Sequence, residues 1–122
     1  MHQYYFERMT VWKAARLLSN SIYIITRDFP SDEDFHLKSQ MRRSASSVKS
    51  NIAEGQGRST SKDQAHFTTM SYSSLIELLN HVITASDQNY IEYEVYKKLR
   101  IEIDHIGRQL YALKKSQLKK RI

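Results

Sequence analysis

The sequence contains no cysteine, one proline and three glycines among its 122 residues. Without cysteine the chain can form neither a disulfide framework nor a thiolate metal site, which is compatible with a reducing cytoplasm. So few glycines and prolines argue against an all-β fold, which needs many turns. The longest uninterrupted apolar run, Ile22–Ile25, has four residues, so neither a membrane span nor a signal peptide is expected. We therefore expect a cytoplasmic protein without a membrane partner.

Charge is the strongest bias in the composition. The chain carries 19 lysines and arginines against 13 aspartates and glutamates, a net charge of +6. Such a protein is a candidate for binding polyanions, and the alternative is that the charge serves solubility. At this length we expect a single domain over residues 1–122, with a core that needs no metal.

Apolar residues recur at the spacing of an α-helix face in four segments, at about residues 11–28, 37–56, 62–86 and 91–120. The first ends before Pro30, which lacks an N–H and disfavours helical geometry at the preceding residue. The third is apolar over more of its circumference than one core requires, so part of it is expected to pack against another subunit. Four amphipathic helices joined by short loops predict an all-α fold, an antiparallel up-down four-helix bundle.

Glycine and hydroxyl residues mark the turn between the second and third helices. Gly55 and Gly57 are predicted to adopt the positive φ values that helix ends use. The hydroxyl residues at 59–61 are candidate N-caps for the helix that follows. Gly107 lies inside the fourth helix, where glycine costs about 1 kcal/mol relative to alanine, so we expect a close helix crossing there.

The segment Leu37–Arg58, LKSQMRRSASSVKSNIAEGQGR, carries a family resemblance. It resembles the most distinctive motif of the bacterial four-helix-bundle proteins first noticed as reading frames inside intervening sequences of 23S ribosomal RNA. The resemblance extends to VWKAARLL at residues 11–18, to Phe29–Pro30 with Glu33 after it, and to YSSLIEL at residues 72–78.

The resemblance implies an up-down four-helix bundle that assembles into a ring-shaped homo-oligomer, with pentamers known. A related branch comprises accessory proteins of diversity-generating retroelements, basic rings that associate with a reverse transcriptase and with nucleic acid. The implied partners are therefore other copies of the chain, RNA or DNA, and a reverse transcriptase. Two positions depart from the family pattern, since Lys49 stands where proline is common and Ser73 where glycine is common. They predict a milder kink in the second helix and a looser helix crossing.

Two arginines of the second helix have alternative roles. With a hairpin centred on Ser59, position 77 lies opposite position 41, so we expect Glu77 to pair with Arg42 or Arg43 and to fix the register of the two helices. The alternative is a phosphate clamp formed by the two arginines, whose geometry suits either role.

A second polar group lies at the end of the same helix. Asn51, Glu54 and Arg58 share one helical face, with Glu54 and Arg58 in the favourable i,i+4 order. We expect these three and Glu77 to form a structural polar network, at the turn or at a subunit contact. A catalytic carboxylate is the minority alternative, because no nucleophile or metal ligand accompanies it. The five histidines are scattered, so no metal site and no cofactor are expected.

Eight cations on the second and fourth helices are candidate phosphate contacts: Lys38, Arg42, Arg43, Lys49, Lys97, Arg108, Lys115 and Lys119. The basic run from Lys114 to Arg121 adds charge at the end of the fourth helix, and the alternative is a solvated face with a frayed basic tail. A ring would repeat each patch, so weak contacts would become a multivalent surface that is sensitive to salt. The aromatic residues 4–6 are expected to pack on a neighbouring subunit, with base stacking as the alternative.

Taken together, these features predict a non-enzymatic oligomer that associates with nucleic acid or acts as a scaffold, because the sequence has no nucleophile, metal or nucleotide signature. The cations are equally compatible with RNA and DNA. The alternative is an oligomeric protein-interaction module with no nucleic-acid role.

Overall fold

The computed structural model describes residues 1–119, which form helices and loops with no strand. The α-helices are α1 (Tyr5–Arg8), α2 (Thr10–Ile25), α3 (Leu37–Gln56), α4 (Ser61–Asp87) and α5 (Tyr93–Lys119). Two 3-10 turns, Thr26–Asp28 and Ser31–Glu33, lie in the connector between α2 and α3. The all-α prediction is confirmed.

The four long helices occupy the four predicted segments, and their ends differ slightly. The first predicted segment includes residues 26–28, which form a 3-10 turn after α2. The last was predicted to reach residue 120, which lies outside the described residues. The short helix α1 was not predicted. It packs against α2 and α3 of its own chain, with the Phe6 ring centroid 5.1 Å from that of Trp12, while Tyr4 and Tyr5 remain exposed.

The core is built from one buried stripe on each long helix. The stripes consist of Val11, Ala15, Leu18 and Ile22 on α2; Met41, Ala45, Val48 and Ile52 on α3; Leu75, Leu78, Val82 and Ala85 on α4; and Leu99, Ile103, Ile106 and Leu110 on α5. Burying each large side chain among them contributes about 1.5–3 kcal/mol, so this core is the main source of stability.

The long helices pack in a cycle, in which α2 and α4 each contact both α3 and α5. Hydrogen bonds between neighbouring helices are consistent with an antiparallel bundle. The Ser71 hydroxyl donates to the Val48 carbonyl at 2.7 Å, and the Thr68 hydroxyl donates to Gln117 Oε1 at 2.7 Å. Consequently α1, the loop at residues 57–60 and the end of α5 share one end of the bundle. Residues 26–36 and 88–92 share the other, which we call the connector end.

The glycines act differently from the prediction. No glycine among residues 1–119 has a positive φ, so that prediction is wrong for Gly55 and Gly57. Gly55 is buried inside α3, where a Cβ would lie 3.1 Å from the Phe67 Cβ, and it therefore permits close packing of α3 on α4. At Gly107 a Cβ would meet the nearest side chains at 3.6 and 3.7 Å, which is ordinary contact, so the expected close crossing is also wrong.

Side-chain hydrogen bonds stabilise the loops at both ends of the bundle. Of the three candidate N-caps, Thr60 caps α4 by accepting from the Asp63 N–H at 3.1 Å.

At the connector end the Tyr90 hydroxyl donates to Glu33 Oε2 at 2.8 Å, and its ring packs against Phe29 with centroids 5.3 Å apart. The hydrogen bond to the Glu33 carboxylate raises the pKa of Tyr90 above 10.0, and burial adds to the effect.

No helix within residues 1–119 is both long enough and apolar enough to cross a membrane.

Candidate nucleic-acid interface

The eight candidate phosphate-binding cations lie on two helices that do not adjoin. Since α3 and α5 each pack against α2 and α4, they occupy diagonal positions in the bundle. Their outward faces therefore point in different directions, and one chain does not present the eight cations as a single surface.

Arg42 is bound by the end of α2 and the first residue of the 3-10 turn that follows it. Its Nε donates to Thr26 Oγ1 at 2.9 Å, its Nη2 donates to the Tyr23 carbonyl at 3.1 Å, and its guanidinium carbon lies 4.7 Å from the centroid of the Tyr23 ring. Thr26 is fully buried and its hydroxyl donates to the Ile22 carbonyl at 2.7 Å. The arginine thus places a cation where the carbonyls at the end of α2 lack helical partners and the dipole is negative.

The predicted pair between Glu77 and the two arginines is wrong. The Glu77 carboxylate is exposed and lies 3.4 Å from the His81 Nε2, on the same helix. Arg43 is also exposed, and its Nη2 donates only a long hydrogen bond, 3.5 Å, to the Ser39 hydroxyl. The predicted register places these residues at the same level, but Glu77 lies on the outer side of α4.

The residues of the predicted polar network do not meet. Asn51 Nδ2 donates to the carbonyl and hydroxyl oxygens of Ser47, one turn earlier. Arg58 Nε lies 3.5 Å from Asp63 Oδ2, and the guanidinium stacks over Phe67 at 4.8 Å. Within residues 1–119, Glu54 has no cation within 4.0 Å. A single network of Asn51, Glu54, Arg58 and Glu77 is therefore wrong, since Asn51, Arg58 and Glu77 each contact different partners.

Two of the candidate cations lie beside acids at the connector end. Lys38 Nζ lies 3.4 Å from Asp34 Oδ1, and Lys97 Nζ lies 3.2 Å from Glu94 Oε1. Exposed pairs of this kind contribute little to stability. They do, however, offset the positive charge that a phosphate would meet.

Charge is segregated along the bundle. We define the α1 half as residues 1–17, 47–73 and 107–119, and the connector half as residues 18–46 and 74–106. The α1 half contains three acids and ten cations, which are Arg8, Lys13, Arg16, Lys49, Arg58, Lys62, Arg108, Lys114, Lys115 and Lys119. The connector half contains seven cations and ten acids. The formal charges are therefore +7 and −3, and a net charge that looks diffuse in the sequence is concentrated at one end.

Most cations of the α1 half are available to a ligand. Among residues 1–119, only Arg58 of the ten has a carboxylate within 4.0 Å. Four candidate cations, Lys49, Arg108, Lys115 and Lys119, belong to this half. Sequence reasoning missed Arg8, Lys13, Arg16 and Lys62 as cations of the same half. The signal was available, because an up-down bundle brings the starts of its first and third helices to the ends of its second and fourth.

Two apolar grooves lie on either side of α5. The larger, 510 Å³, runs between α4 and α5 and is lined by Tyr72, Ile76, Ile103 and Tyr111 among others. The smaller, 270 Å³, runs between α2 and α5 and includes Ile24, Ile25 and Val95. Ile24 is 58% exposed and Ile76 45% exposed, so both grooves leave apolar surface uncovered in the single chain.

Within residues 1–119, no cluster of three or more histidine, aspartate or glutamate side chains is placed to hold a metal ion.

Comparison with known proteins identifies relatives by sequence and by structure. The family model for the 23S rRNA-intervening sequence protein matches residues 7–112. The fold is similar to the crystal structure of a protein of unknown function from the S23 ribosomal protein family of Bacteroides thetaiotaomicron VPI-5482, with a TM-score of 0.78 and 18% sequence identity. That similarity covers 87% of this chain and 99% of the other, and at this identity it concerns the fold. A comparison with curated proteins gives no match.

Proposed function

Because the chain belongs to the family of 23S rRNA-intervening sequence proteins, we propose that it is a non-enzymatic, self-associating scaffold whose α1 half holds nucleic acid by the phosphates. The observation that carries the proposal is the segregation of charge, ten cations against three acids in that half. Cations that lie at one end of the bundle, mostly without acidic partners, can neutralise the phosphates of a nucleic-acid backbone.

Self-association is supported by the two apolar grooves. They lie on different sides of α5 and differ in size and lining, so a contact between them on two chains would be heterologous. Heterologous contacts between identical chains close into rings when the rotation permits. Rotational symmetry would carry every α1 half to the same rim or face of such a ring. Contacts that are weak for one chain would then act together on one nucleic-acid molecule.

The binding proposal is tested by a fluorescence anisotropy titration of structured RNA and of duplex DNA, each at about 50 and 200 mM salt. Three phosphate contacts on duplex DNA would weaken binding about 40-fold over that range, because the affinity falls by about 0.9 log units per contact for each log unit of salt. Binding that weakens in this way supports the proposal. Absence of binding to both probes at low salt would refute it.

The assembly proposal is tested by two single variants, Ile24→Glu and Ile76→Glu, whose mass is measured alone and in mixture. A heterologous interface predicts that each variant alone is monomeric, since one of its two faces carries a buried charge. Mixing them restores one intact interface and gives a dimer that cannot extend. If either variant alone keeps the wild-type mass, its groove lies outside the interface.

The second candidate function is an oligomeric module that binds another protein. The observation in its favour is the 510 Å³ apolar groove, which a partner other than a second copy could fill. It predicts that wild-type protein forms the oligomer but binds neither nucleic-acid probe. Capture experiments with the assembled protein would then identify the partner.

A further inference from the structure

A cleft beside Trp12 lies at the junction of α1 and α2, and every lining residue except Asn20 belongs to the α1 half. It has a volume of 410 Å³, and its lining includes Gln3, Glu7, Trp12, Lys13, Arg16 and Asn20. Trp12 is half-buried; it packs on the core and forms a T-shaped pair with the Phe6 ring. The cleft therefore combines part of a large aromatic ring, held firmly by its packing, with charged and amide side chains.

The charges around the cleft are largely uncompensated. Lys13 and Arg16 are exposed, and neither has a carboxylate within 4.0 Å among residues 1–119. The Arg16 guanidinium carbon lies 5.6 Å from the centroid of the Trp12 ring, close to the ~6 Å limit of a cation–π contact. Arg8 lies nearby on α1, with its guanidinium 5.9 Å from the Tyr5 ring. Glu7 is the one acid in the lining.

We propose that this cleft binds single-stranded nucleic acid, with a base against Trp12 and the adjoining phosphates on Lys13 and Arg16. The inference rests on the proposed function, and it specifies where on the α1 half the strand lies. Single-strand sites pair a cationic track for the backbone with aromatic rings for the bases. Amides and a carboxylate, here Gln3, Asn20 and Glu7, are the groups that hydrogen-bond to base edges.

The geometry of the cleft also favours single-stranded nucleic acid over a duplex. In a duplex the faces of the bases are stacked inside the helix, so an aromatic ring recessed in a cleft cannot reach them without opening base pairs. A single strand can offer an unstacked base at lower cost. The cleft should therefore distinguish single-stranded probes from duplex, whereas the phosphate contacts of the whole α1 half should not.

The test uses the fluorescence of Trp12, which is the single tryptophan in the sequence. Wild-type protein is titrated with oligouridylate and oligothymidylate of about 12 nucleotides, within the roughly 4–16 that single-strand sites cover, and with a duplex of the same length. The inference predicts quenching by the single-stranded probes and little by the duplex. The two single-stranded arms distinguish RNA from DNA as the ligand.

Paired variants separate the cleft from general charge. Lys13→Gln with Arg16→Gln removes two cations at the cleft, and Arg27→Gln with Lys97→Gln removes two exposed cations of the connector half. The first pair should reduce the slope of log affinity against log salt by about 1.4 for a single strand, and the second should leave it unchanged. Trp12→Leu should weaken single-strand binding roughly tenfold, as expected for one lost base stack, while Trp12→Phe should retain most of it.

The outcomes separate this inference from the proposed function. If wild-type protein binds no nucleic acid at low salt, the proposed function fails and the cleft with it. If it binds but Trp12 is not quenched, and both double variants behave alike, the cleft is excluded while the proposed function stands. If the fluorescence of Trp12 changes with protein concentration but not with probe concentration, the cleft binds a second copy of the chain. That result would overturn the inference.

Discussion

Replacing Arg42 with glutamine should destabilise the fold, while the same change at Arg43 should not. Both changes remove one positive charge from neighbouring positions of α3, so the pair is matched for charge. Only Arg42 is joined to the end of α2 and the 3-10 turn after it, through Thr26, the Tyr23 carbonyl and the Tyr23 ring. The comparison therefore isolates the contacts of the arginine from its charge.

The expected loss follows from those contacts. Hydrogen bonds to a charged group contribute about 1.5–3 kcal/mol, and we take about 2 kcal/mol for the two together because the Tyr23 side of the contact is exposed. The stacking of the guanidinium on the Tyr23 ring adds about 0.5–1 kcal/mol. Arg42→Gln should therefore cost about 2.5–3 kcal/mol. Arg43→Gln should remain within about 0.5 kcal/mol of wild type, as is usual for exposed positions.

The assay is urea unfolding followed by circular dichroism, at one protein concentration because self-association shifts apparent stability. With a slope of about 2 kcal/mol/M, the midpoint of Arg42→Gln should fall by about 1.3–1.5 M and that of Arg43→Gln should move by no more than about 0.25 M. Equal stability of the two variants, with weaker nucleic-acid binding by Arg42→Gln, would refute this reasoning and restore the phosphate clamp.

Three further predictions concern Tyr90 and the glycines. Tyr90→Phe should lower the urea midpoint by less than Arg42→Gln, since it removes a single hydrogen bond to Glu33. Because the pKa of Tyr90 is raised in the folded state, wild-type stability should fall as pH rises above about 10, and the fall should be smaller in Tyr90→Phe. Gly55→Ala should cost about 1 kcal/mol net, because crowding against Phe67 outweighs the gain in helix propensity, whereas Gly107→Ala has room and should gain about 0.5–1 kcal/mol. Equal unfolding midpoints of the two alanine variants would contradict the close packing at Gly55.

Helix periodicity predicted the core well, because each stripe is a local property of the chain. The stripe of α2, from Val11 to Ile22, is buried as its spacing indicates, and so is that of α5, from Leu99 to Leu110. Propensity and capping also act locally, which is why Thr60 could be included among the candidate caps. These features need only the helix period and the hydrogen bonds of one turn.

Contacts between distant segments could not be derived in the same way. The bond from Arg42 to Thr26 depends on the path of the 3-10 turns and the connector, which no periodicity specifies. The register of α3 and α4 was predicted closely, but Glu77 lies on the outer side of α4, and its rotation about the helix axis decides which partner it meets. Gly55 illustrates a third limit, because glycine serves close packing as well as turns.

The most direct test of the central claim compares two triple variants in the anisotropy titration with duplex DNA. One removes Lys114, Lys115 and Lys119 from the α1 half, and the other removes Arg27, Arg43 and Lys97 from the connector half, all by glutamine. The account predicts that the first weakens binding and reduces the slope of log affinity against log salt by up to about three, while the second binds as wild type does. Equal losses from the two variants would mean that total charge governs binding, and would contradict a nucleic-acid surface on the α1 half.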